Sequence, residues 1–113
     1  MSYRLLLHVH TKYSHDSNLP FWLLYKKCLK HGIDCIAITD HNTAEGAMAF
    51  RQYCRERGEK VHVIIGEEIM TTEGEIIGLF LHETIPPLLT PGEAIAAIRK
   101  QQGIVYVPHP YDK

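Results

Sequence analysis

The sequence predicts an α/β fold organised around a parallel sheet, and three observations lead there. Short apolar runs of strand length alternate along the chain with segments whose apolar residues recur at helical spacing. The strand-length runs are continuously apolar, as in strands covered on both faces. Each run ends in a histidine or a carboxylate. In a parallel sheet of right-handed βαβ units those ends collect at one edge, where ligands bind.

Residues 3–9 form the first expected strand, in which Leu5, Leu6 and Leu7 run into His8-Val9-His10. The i, i+2 spacing of the two histidines puts both imidazoles on one face. Residues 11–19 read as a polar loop. Pro20 suits the first turn of a helix, and Phe21, Leu24, Tyr25, Cys28 and Leu29 keep its apolar stripe. Lys30 and His31 complement the helix C-terminus, and Gly32 its cap.

Residues 34–39 are the second buried strand, ending in Asp40-His41. Asn42 is expected to cap the next helix, with Glu45 at the third helical position. Ala47, Phe50 and Cys54 line that helix inward, and Gly58 ends it. Residues 61–65 are the third strand, running out at Gly66-Glu67-Glu68. Residues 70–81 read as a hairpin turning near Glu73-Gly74. Pro86-Pro87 is a stiff connector. Thr90-Pro91-Gly92-Glu93 combines a cap, a proline at the first helical position and a glutamate at the third. Ala94, Ile95 and Ile98 face inward, and Gly103 stops the helix. Residues 104–107 are a last buried strand with Tyr106 in the core, ending at Pro108-His109-Pro110.

Composition narrows the function. The 113 residues suffice for one domain, and 45% hydrophobic with 22% charged residues is an ordinary globular balance. A net charge of -1, with lysines and arginines scattered, argues against a broad footprint for duplex nucleic acid. It leaves room for a small phosphorylated substrate or a nucleic-acid end. Cys28, Cys35 and Cys54 make no C-x-x-C pair and are expected reduced, in the core of a cytoplasmic protein. No signal peptide precedes the first strand, and no apolar run is long enough to span a membrane.

Eight histidines are the compositional anomaly. The strand ends supply His8 and His10, then Asp40 and His41, then Glu67 and Glu68, then His109. The first loop adds Asp16 and the hairpin Glu75. Mixed imidazole and carboxylate donors suit zinc, manganese or iron, and there are more donors than one ion needs. Several ions bridged by a carboxylate are the natural reading, and such clusters polarise phosphoryl groups. Glu67, beside Glu68, would point to the other face and ranks lower.

Taken together, His8-x-His10-Thr11, Ser14-x-Asp16, Thr39-Asp40-His41-Asn42, Gly66-x-Glu68 and Pro108-His109-Pro110 resemble the ordered motifs of the PHP (polymerase and histidinol phosphatase) domain family, across essentially the whole chain. The resemblance implies a distorted seven-stranded β/α, TIM-like barrel. It also implies up to three divalent metals and phosphomonoester or phosphodiester hydrolysis through a metal-bound hydroxide. By the same resemblance, His8 and His10 would hold the first metal, and Glu68 would bridge the first and second. Glu75 and His109 would belong to the second, and Asp16 and His41 to the third. Asp40 would orient a ligand from behind.

Two departures accompany the resemblance. Many relatives carry histidine where Glu75 stands, and the harder carboxylate shifts preference toward harder ions. The family also continues past this point to a further aspartate and histidine, and a barrel takes roughly 200 residues or more. Residues 1–113 are therefore expected to form the N-terminal half of the barrel, cut before its last strands. A half-barrel leaves an open edge and an uncovered interior, from which self-association is expected.

Other polar residues carry blander readings. His31 is a helix-end dipole partner. His62, at a strand start, lies opposite the active edge. His15 beside Asp16 and His82 after the hairpin are secondary candidates, and Lys12 is a solvent-facing loop residue. Two alternatives stand beside the phosphoesterase: a non-catalytic module binding metal or a partner, and, less favoured, a metal-dependent amidohydrolase.

Overall fold

The computed structural model describes residues 4–11 and 19–107, and the backbone alone at Leu7 and His8. Strands β1 (Leu5–Val9), β2 (Cys35–Ile38), β3 (His62–Thr71), β4 (Gly74–Leu79) and β5 (Ile104–Tyr106) form one sheet in that order. Helices α1 (Phe21–Lys30), α2 (Glu45–Arg55) and α3 (Pro91–Lys100) connect them. The sheet curls into part of a TIM-like barrel.

The predicted parallel sheet holds for β1, β2 and β3. The hairpin expected near Glu73-Gly74 is present as well: β4 folds back antiparallel on β3 through a turn closing at Thr71 and Gly74, so the sheet is mixed from there on. β5 pairs antiparallel with β4 and so runs in the direction of β3. The third strand is longer than expected, ten residues rather than five. Once β2 has ended, β4 continues to satisfy the β3 backbone, so pairing carries through Glu67 and Glu68.

The two sheet faces are distinct. Ile36, Ile38, Ile65 and Ile69 join Leu24, Cys28, Phe50 and Ile98 in the main core beneath the helices. On the other face, toward the barrel interior, Ala37, Ile77 and Leu79 pack with Ile64. Gly66 sits where β2, β3 and β4 crowd together. A Cβ there would lie 2.9 Å from the Gly78 carbonyl oxygen and 2.9 Å from Thr39 Cγ2. That is closer than van der Waals contact allows, so the position takes glycine for space.

Helix ends follow the local chemistry with two corrections. α3 carries the full capping box: Thr90 accepts from the Glu93 N–H, and the Glu93 carboxylate accepts from the Thr90 N–H. Pro20 stands at the N-cap of α1 rather than within its first turn, and its carbonyl receives the Leu23 and Leu24 N–H groups. Asn42 does not cap α2. That helix starts at Glu45 with Ala44 at the N-cap, and Thr84 Oγ1 accepts from the Ala44 N–H.

The last strand is also corrected. It is three residues long and pairs only with β4 among the described residues, so Ile104 and Tyr106 are exposed rather than buried. The three cysteines are buried and none is in a disulfide, and burial raises the Cys54 thiol to about 12. They act as core filler. Among the described residues no helix is long and apolar enough to cross a membrane.

Candidate metal centre

The carboxyl ends of β1 and β2 lie side by side against the middle of β3, and each of the three strands delivers one donor. His10 follows the last residue of β1, whose Val9 carbonyl accepts from the Thr39 N–H at 2.7 Å. The next residue, Thr11, is gripped by the fully buried Asp40 carboxylate. One oxygen accepts from the Thr11 N–H and the other from its hydroxyl at 2.6 Å. Such donors are what a buried carboxylate needs. They fix the backbone immediately beyond His10, so Asp40, expected to orient a ligand, holds His10 through its neighbour.

His41 comes just after β2 ends, yet the parallel ladder extends one more bridge, with His41 opposite Glu68. Glu68 N–H donates to the Asp40 carbonyl and Asn42 N–H to the Glu68 carbonyl, both at 2.9 Å. On the other side of β3, Glu68 pairs with Ile77 and Met70 with Glu75. Directly opposed residues share a face, so Glu75 lies on the same side as Glu68, two positions along.

These placements bring four predicted ligands together. His10 Nε2 lies 3.1 Å from Glu68 Oε1. His41 Nδ1 lies 3.6 Å from Glu68 Oε2 and 3.3 Å from Glu75 Oε2. The two imidazoles meet edge to face at 4.4 Å between centroids. Donor atoms of His10, His41 and Glu68 all fall within 4.8 Å of one another. The Glu68 side chain is 3% exposed, with an imidazole against each oxygen. A buried carboxylate flanked by imidazole nitrogens, with a second carboxylate adjoining, fits a divalent transition ion by donor chemistry and spacing.

Of the remaining predicted positions, several lie outside the described residues. His8 belongs to β1, but its side chain is outside the described residues, as are Asp16, His109, His15 and Lys12. β5 points toward the edge that carries Glu68, and Tyr106, Ile77 and Glu68 stand abreast across three strands. His82 follows β4, which runs the opposite way, and so lies past the far end of the sheet. Its N–H donates to Gln101 Oε1 there. His62, at the start of β3, is exposed at the same far edge.

Glu67 does point away from Glu68. It is fully buried on the helix side, where Oε1 accepts from the Ile85 N–H at 2.8 Å and Oε2 has no hydrogen-bond partner among the described residues. Burial outweighs that one hydrogen bond and raises its carboxyl to about 7. Thr11 and Asn42 are the supporting residues that a search for ligands passes over. Both stand directly after a donor histidine, and their role is to fix backbone.

Comparison with known proteins gives a consistent result. The PHP domain family model matches residues 7–108. The uncharacterized protein MJ1587 of Methanocaldococcus jannaschii is 48% identical over 93% of this chain and 66% of its own length. MJ0417 of the same organism is 42% identical over 94% of this chain and 39% of its own. A two-domain protein from Bacteroides vulgatus, containing a predicted PHP-like metal-dependent phosphoesterase, superposes with a TM-score of 0.70. That match has 22% identity over 91% of this chain and 34% of that one. An amidohydrolase from Chromobacterium violaceum gives a TM-score of 0.59, with 22% identity over 86% of this chain and 32% of that one. At such identities these two likenesses are of fold. The chain spans about two thirds of one M. jannaschii relative and well under half of the other.

Proposed function

The chain belongs to the PHP domain family, and from that premise we propose that it forms part of a metal-dependent phosphoesterase acting on a phosphomonoester or phosphodiester. The observation that carries the reading is the meeting of His10, His41, Glu68 and Glu75, donors from four separate segments, in one small cluster. In the proposed site these four hold divalent ions of manganese, zinc or iron, with His8, Asp16 and His109 as the further ligands the family pattern assigns. Bound there, such ions supply positive charge to a phosphoryl oxygen and acidify a coordinated water.

The chain's own residues then have defined tasks. Glu68 places one oxygen toward His10 and the other toward His41, so both oxygens would be available to hold ions. Asp40, through Thr11, keeps His10 from swinging away. Burial of Glu68 limits competition from water and strengthens its attraction for cations. The substrate in this reading is a small phosphorylated molecule or a nucleic-acid end, since the scattered charge offers no track for a duplex. Three buried thiols, none of them in a disulfide, support a reducing, cytoplasmic setting.

The test combines metal content with turnover. Metal-loaded protein should carry at least about one ion per chain by elemental analysis and hydrolyse an aryl phosphate with manganese. His10→Ala and Glu68→Gln should lower both. Metal bound without turnover would favour the non-catalytic module, and turnover that survives both substitutions would place the chemistry elsewhere.

A further inference from the structure

In a parallel ladder the rungs alternate in a fixed order. With His41 opposite Glu68, the Glu68 N–H must reach the carbonyl of residue 40, and the N–H of residue 42 must reach the Glu68 carbonyl. Both bonds are present at 2.9 Å. The next rung would run from the Met70 N–H to the backbone carbonyl of residue 42. The chain has already turned away there, because Asn42 adopts φ 56, in the left-handed region. Its side chain takes over instead, and Asn42 Oδ1 accepts from the Met70 N–H at 2.9 Å. One residue thus supplies two successive rungs, one with its backbone and one with its amide.

The residue type is specified by both demands. Asparagine tolerates positive φ better than other residues with side chains, and its amide oxygen lies about where a strand carbonyl would. The consequence falls on His41, the residue before it. Without the second rung the ladder would end at a single bridge, and the His41 backbone would be free to pivot away from Glu68. Past Asn42 a different segment takes up the same edge of β3, since the Leu88 N–H donates to the Met70 carbonyl at 2.7 Å.

We infer that Asn42 is a positioning residue of the metal centre, its amide standing in for a strand and holding His41 beside Glu68. The inference concerns the metal-binding reading proposed above and rests on it for its functional meaning. Asn42→Gly accommodates the positive φ and removes only the amide acceptor, whereas Asn42→Asp keeps an acceptor there. Cobalt(II) is the probe, because its visible absorption reports the ligand set. Asn42→Gly should weaken cobalt binding about tenfold or more and alter the spectrum, in the range typical of lost outer-shell support. Asn42→Asp should stay within about threefold of the parent.

A second readout needs no metal. In metal-free protein Asn42→Gly should speed hydrogen exchange at the Met70 amide about tenfold or more and shift the His41 imidazole resonances. If the parent binds no cobalt, the metal reading fails while this readout still decides the role of Asn42. If the parent binds cobalt, and Asn42→Gly matches it in affinity, spectrum and Met70 exchange, the inference is overturned. It is equally overturned if Asn42→Asp is as weak as Asn42→Gly.

Discussion

Glu67 and Glu68 are neighbours that the two-residue period of a strand puts to opposite uses. Glu68 faces the imidazoles, whereas Glu67 is driven into the helix-side core with one oxygen unpartnered among the described residues. The folded protein holds the Glu67 proton to about 7 against an ordinary 4.5. Below the lower value both folded and unfolded chains are protonated. As pH rises through the interval only the unfolded chain ionises readily, so stability is lost. Glu67→Gln keeps an oxygen for the Ile85 N–H and cannot ionise. In metal-free urea unfolding it should nearly match the parent at about pH 5 and exceed it by up to about 3 kcal/mol at about pH 8. A difference that does not grow with pH would mean that Glu67 titrates normally. Glu75 offers a second prediction. Its oxygen 3.3 Å from His41 is a hard donor, so Glu75→His should raise the ratio of zinc to manganese affinity in competition titrations. An unchanged ratio would take Glu75 out of the ligand set.

Among the elements, the start of α3 was fully legible, because every signal lies within four residues and the bonds it forms are local. Thr90→Ala should cost about 1 kcal/mol in chemical denaturation, and a cost near zero would show the cap to be redundant. The start of α2 was misread for the opposite reason. Asn42 has the chemistry of a cap, but its partners are Glu68 and Met70, about thirty positions along the chain, and nothing nearby announces them. The length of β3 was hidden likewise. Its second half looks like the end of a strand until β4 is paired beside it.

On the scale of the molecule, the sheet is open among the described residues at both β1 and β5. Leu5, Leu6, Ile104, Tyr106 and Val107 are exposed there. A monomer seldom leaves two strand edges and so much apolar surface to solvent. The two edge strands also run in the same direction. The expected outcome for the isolated 113-residue chain is self-association, seen as a multiple of 12.9 kDa by light scattering. Leu5→Lys combined with Ile104→Lys should reduce that mass toward the monomer. A parent chain that is monomeric at high concentration would sink this expectation.

The sequence by itself determined the α/β class, the order of strands and helices, and the kinds of donor placed at each strand end. Those depend on apolar periodicity and short turn signals that act within a few residues. Only the tertiary structure decided that β3 extends past Ile65, that Tyr106 is exposed and that Asn42 replaces a strand rather than capping a helix. Each of these is a matter of which distant backbone groups pair. Hydrogen-bond partners remote in sequence are chosen by the packing of the whole sheet, which no local window of residues contains.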